Sequence, residues 1–94
     1  MRSTTLSAIM QANSQDFRNF IKHCENRIQN FTTQQDRHKE HVVKLHNQFY
    51  EVTTKEEQEA ILREIARTQR DIDLFHQMIN FDKNEIQRKI NEVT

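Results

Sequence analysis

From Phe17 to Val52 the apolar side chains recur in alternating steps of four and three: Phe17, Ile21, Cys24, Ile28, Phe31, Val42, Leu45, Phe49 and Val52. That spacing holds one stripe on one side of an α-helix and is the seam pattern of a coiled coil. With heptad positions lettered a to g, Ile21, Ile28, Gln35, Val42 and Phe49 occupy a, and Phe17, Cys24, Phe31, His38, Leu45 and Val52 occupy d. Only Gln35 and His38 interrupt the stripe. A second stripe follows, with Ile65, Ile72, Ile79, Ile86 and Val93 at a and Ile61, Thr68, Phe75, Asp82 and Lys89 at d.

The two stripes are out of phase. Carrying the first frame onward puts a at Glu56, Arg63 and Arg70, whereas the second stripe has a at Gln58, Ile65 and Ile72. An offset of two residues turns a helix by about 200°, and neither a three-residue nor a four-residue insertion in a coiled coil produces it. A single helix would therefore point its two stripes in nearly opposite directions, so a chain reversal is the simpler arrangement. Thr54-Lys55-Glu56-Glu57 has the form of a capping box, and Glu56, Glu57 and Glu59 suit the positive end of a new helix. Thr32-Thr33-Gln34-Gln35 also resembles a cap, but the first stripe crosses it without a change of phase.

This pattern predicts an all-α fold, an antiparallel two-helix coiled-coil hairpin in a single domain spanning 1–94. Helix one covers 14–52 and helix two 55–94. Segment 1–13 has two readings. It extends helix one, because Leu6, Met10, Asn13, Phe17 and Phe20 also step by four and three; or Asn13 or Ser14 caps helix one and 3–12 folds back as a short third helix. With the turn near 53–54, the numbers of facing residues sum to roughly 107, which pairs Ile28 with Ile79, Ile21 with Ile86 and Val42 with Ile65.

Composition sharpens the picture. There is no Gly and no Pro, which argues for few turns and long helices, because tight turns lean on both residues. Only 34% of the residues are hydrophobic and 30% are charged, enough for helices that bury one stripe each but poor for a globular core. A chain of 94 residues with one seam is too small to be comfortably stable alone, so a homodimer closing a four-helix bundle, or a hetero-complex, is expected. The net charge is zero, but residues 1–50 carry seven basic and four acidic side chains and residues 51–94 carry seven and ten. Halves of +3 and −3 attract each other as antiparallel neighbours, though each exposed pair is worth little.

Candidate chemistry is sparse. There is no Gly-rich phosphate loop, no Gly-flanked nucleophile and no carboxylate pair in an apolar setting, and a narrow helix seam offers no concave site. The expectation is a protein that is not an enzyme and holds no cofactor or metal. His38, Glu40, His41 and His46 form the best metal candidate, but bundle sites use Glu-x-x-His on facing helices, and only Asp73-Leu74-Phe75-His76 approaches that form. A solvated face with one polar seam histidine accounts for them more simply. Cys24 is the single cysteine and reads first as a small apolar d residue. It fits a reducing compartment, and Met1 to Ala12 lacks a signal-peptide core, which points to an intracellular site, cytoplasmic or nuclear. In that setting the Asn30-Phe31-Thr32 sequon carries no sugar. No stretch of 18 apolar residues spans a membrane.

Two features bear on partners. Leu74, Met78 and Phe81 lie at c, g and c, off the seam, with Leu62 and Ile90 at e; a two-stranded hairpin leaves much of this set wet, so it is the predicted partner-binding surface. Gln35 and His38, facing Thr68, Gln69 and Ile72, form a polar layer of the kind that fixes register and partner choice. Were His38 buried and neutral, protonation below about pH 6 would destabilise the fold. The function that fits best is a non-catalytic coiled-coil assembly subunit or adaptor. The alternatives are a small helical chaperone or secretion-type cofactor, and a nucleic-acid-binding dimer like the small RNA-binding hairpin Rop. Nucleic acid is the weaker case, because the basic residues of helix one scatter over several heptad positions. Small secreted hairpins of this length carry Trp-x-Gly at the turn, where this chain has Val52-Thr53-Thr54 and no Trp. Tubulin-cofactor-like chaperones have a third helix that is missing or too short here.

Overall fold

The computed structural model describes the backbone of residues 2–93 and the side chains of residues 14–92. It is a helical hairpin: α1 spans Arg2–Glu51, α2 spans Lys55–Val93, and they pack side by side along the length of α2. At about 1.5 Å per residue, helices of 50 and 39 residues are about 75 and 58 Å long. They account for a rod of 80 × 15 × 14 Å.

The reversal is made by local chemistry without any residue at positive φ. Val52 N–H still donates to Gln48 O at 3.1 Å, so α1 frays only at its last turn. Thr54 Oγ1 accepts from Glu57 N–H at 3.2 Å, which is one half of the capping box. A separate bond, from Gln58 Nε2 to Val52 O at 3.5 Å, ties the new helix to the end of the old one. The rival cap at Thr32–Gln35 does not interrupt α1. Thr33 Oγ1 instead donates back to Gln29 O at 3.0 Å, the usual fate of a threonine inside a helix.

Segment 2–13 continues α1 as backbone helix, so α1 begins at Arg2 and not at residue 14. The side chains of the Leu6–Met10 cluster lie outside the described residues. A segment that continues α1 does not fold back as a third helix.

Among the described residues every a and d position of both helices is buried or half-buried, which assigns the seam to the stripes read from sequence. The most enclosed apolar side chains are Cys24, Val42, Leu45, Ile72 and Ile79. Register is set by pairs across the seam. Arg27 meets Asp82, Phe31 meets Phe75, Gln35 meets Ile72, His38 meets Asp71 and His41 meets Glu64. Their numbers sum to between 105 and 109, around the predicted 107.

Candidate docking surface

Three polar residues are buried in the seam: Gln35, Thr68 and Asp82. Each is satisfied in its own way. Gln35 Nε2 donates to Ile72 O across the helices at 3.3 Å, and Thr68 Oγ1 donates to Glu64 O of its own helix at 2.8 Å. Asp82 accepts from Arg27 Nε at 3.2 Å. Among the described residues no buried side-chain nitrogen or oxygen lacks a partner. Burial without a partner would cost about 1–3 kcal/mol per group, so these contacts make the seam permissible.

The polar layer differs from expectation in two members. Gln69, at e, is exposed and does not face Gln35. His38 is only half-buried, with 34% of its side chain exposed. Its Nδ1 lies 2.8 Å from Gln34 O, its Nε2 lies 3.9 Å from Asp71, and its ring stands edge-on to Phe75 at 5.2 Å. Gln35 and Thr68 are both buried in the seam, Gln35 bonded to Ile72 across it, and His38 lies half-buried at its edge.

The Arg27–Asp82 pair is the second polar layer, and it was not singled out from sequence. The carboxylate is almost fully enclosed, while 47% of the Arg27 side chain remains exposed and its guanidinium lies over Phe31 at 5.6 Å. The signal for it existed: an Asp at d, with an Arg at g of the antiparallel neighbour at the right register. Lys89, also at d, lies over the Phe20 ring at 5.4 Å and keeps its charge at the seam edge. Cys24 is buried beside this layer. Burial first, and the nearby Asp82 carboxylate second, push its thiol pKa above the ordinary value.

The five predicted partner-binding residues divide into two groups. In an antiparallel hairpin the g positions of both helices flank one side of the seam and the e positions the other. Leu74, Met78 and Phe81 at c and g lie on one broad side, and Leu62 and Ile90 at e lie toward the opposite side. Leu74 is 49% and Phe81 60% exposed. Met78 is half-buried, because g sits against the seam edge and not on the outer surface. Ile90 is half-buried for the same reason on the other edge. Leu62 is exposed, and the register places it level with exposed Val43 on α1.

The outer surface of α2 carries one further feature. A shallow groove is lined by Ala60, Arg63, Glu64, Ala66, Arg67 and Arg70. Arg67 is bonded to Glu64 one turn away, whereas neither Arg63 nor Arg70 has an ion pair among the described residues. The three arginines step by four and three at f, c and f, and Leu74 and Phe81 continue the same line at c.

The histidines do not gather. Among the described residues no group of three or more His, Cys, Asp and Glu side chains is placed to hold a metal ion. Among them, too, no helix is long and apolar enough to cross a membrane. No family model matches the chain, and neither the curated proteins nor the solved structures contain a match to it.

Proposed function

We propose that this chain is a non-catalytic assembly subunit or adaptor that acts by docking the outer face of α2 against a helix of another protein. The observation that carries this reading is the pair Leu74 and Phe81, both about half exposed or more, on the side of α2 that α1 leaves uncovered. Two large apolar side chains two turns apart present the i, i+7 spacing by which a helix is gripped in a groove or bundle. Burying each would contribute up to about 1.5–3 kcal/mol, less what is already covered. A seam that is internally satisfied can present this face without rearrangement, which reduces the ordering cost of association.

The test compares Leu74→Ser with Phe81→Ser against Val43→Ser with Leu62→Ser, which alter exposed apolar residues elsewhere. Association, read by sedimentation of the chain's complexes from the source cell, should weaken about tenfold per substitution in the first pair, or 1.4 kcal/mol each. The second pair should leave it unchanged. Circular dichroism checks that both keep their helicity. Full association by the Leu74/Phe81 variant would remove the docking face from the account.

A second reading, nucleic-acid binding, is favoured by one observation, the line of Arg63, Arg67 and Arg70. Phosphate contacts would give a steep fall of affinity with salt, of slope close to the number of arginines engaged. A shallow slope with retained protein binding separates the two.

A further inference from the structure

We infer that the occupant of this face is an amphipathic helix of another protein, acidic along the turns that meet Arg63, Arg67 and Arg70 and apolar along the turns that meet Leu74 and Phe81. This rests on the docking reading above and names the partner's chemistry. The c and f positions of α2 form one line from Ala60 to Phe81, about 32 Å long at 1.5 Å per residue, or roughly six helical turns. Its first half carries three arginines, flanked at g and b by Glu64, Asp71 and Asp73, and its second half is apolar.

Two of the three arginines are uncommitted. Arg67 is held by Glu64, but Arg63 and Arg70 have no ion pair among the described residues. Ala60 and Ala66 beside them leave a groove in place of bulk, so a second helix can approach closely enough for its carboxylates to reach the guanidinium forks. The apolar half sets the class of macromolecule. A nucleic-acid strand would engage the arginines and leave Leu74 in water. An acidic helix with apolar residues at its other end satisfies both halves at once.

A second copy of this chain fits poorly. The same face of a second copy sets arginine against arginine in parallel register, and Leu74 and Phe81 against Arg70 and Arg63 in antiparallel register, and on α1 the seven basic residues of the first half outnumber the four acidic ones. Neither register gives the arginines carboxylate partners along that line, which costs specificity. The opposite charge has to come from elsewhere.

The experiment pans the full-length chain against a displayed library of helical peptides about six turns long, randomised along one face. Enriched sequences should carry Asp or Glu over the turns at one end and Leu, Ile or Phe over those at the other. The affinity of a synthesised enriched peptide should fall at least tenfold with Arg63→Glu and Arg70→Glu together, and again with Leu74→Ser and Phe81→Ser. It should weaken with added salt only in proportion to the few charges paired. Enrichment of basic or uniformly apolar peptides, or no enrichment, overturns the inference. So does a single-stranded RNA oligonucleotide that binds through these arginines regardless of Leu74→Ser and Phe81→Ser, or self-association of the chain through this face. Native association that is lost with Leu74→Ser and Phe81→Ser but untouched by the arginine reversals overturns the acidic occupant and leaves the docking reading standing. Association that survives both sets of substitutions overturns both.

Discussion

Asp82 shows what a single residue does in a seam this thin. A carboxylate enclosed between two helices is tolerable only because Arg27 reaches it at 3.2 Å from the neighbouring helix. Removing Arg27 strands the charge. Arg27→Leu should destabilise the hairpin by about 1–3 kcal/mol, below the usual figure for a fully buried pair because Arg27 is half exposed. Arg27→Leu with Asp82→Leu together should recover that loss or exceed it. Urea unfolding of the two variants measures this, and an unchanged midpoint for Arg27→Leu would show that the pair does not hold the register. Cys24 gives a pH prediction of defined sign. Its pKa is raised in the fold, chiefly by burial, so ionisation favours the unfolded chain. Stability should be level while the thiol is protonated in both states. It should decline as pH rises above about 9.0, the ordinary thiol value, and level off only beyond the raised folded value. Cys24→Val should remove that alkaline decline, as thermal melts across this range would reveal. Sequence patterning could place Cys24 and Asp82 at d. It could not show that Asp82 would be enclosed or paired, because that depends on which long side chain the opposite helix sends across.

At the scale of the element, the helices and their reversal were the most legible part of the chain. A two-residue phase shift between uninterrupted stripes has few physical explanations, and Thr54 supplies the cap at the place the shift requires. Thr54→Ala should cost about 1 kcal/mol, seen as a lower melting temperature with the same helicity. A loss well below that would assign the stop to Gln58 and its bond to Val52. The Gln35–Thr68 layer gives the companion prediction. Gln35→Ile with His38→Leu should raise the melting temperature while broadening the set of oligomers, because an apolar layer stabilises but does not discriminate. Unchanged stability and assembly would leave the layer without a role. What pattern alone misplaced were the edges of the seam. Met78 and Ile90 at g and e were read as outward-facing, yet they sit half-buried, because a coiled coil of bulky residues spreads its contact onto the flanking positions. His38 moved the other way, from core to rim, because a d position near polar neighbours lets its ring lean toward Asp71. The helical course of 2–13 was left open by periodicity, since a continued stripe and a folded-back one look alike over ten residues.

The hairpin is a rod of two packed helices, and most of the described side chains outside its seam are charged or amide-bearing. Against that background the line along the outer side of α2, arginines followed by Leu74 and Phe81, is its most specific surface. Its apolar part was visible in the sequence as c and g residues. Its continuity with the arginines became apparent only when c and f were seen to share an uncovered side. The same geometry separates Leu62 from that line. The central claim is that this side, and not the opposite one, meets the partner. Spin labels at Gln77, between Leu74 and Phe81, and at Gln29, on the other broad side of the rod, test it directly; both positions are exposed in the free chain. On adding extract from the source cell, the label at Gln77 should become immobilised while that at Gln29 keeps its fast motion. Immobilisation at Gln29 with Gln77 left mobile would place the interface on the opposite side of the hairpin and contradict the account.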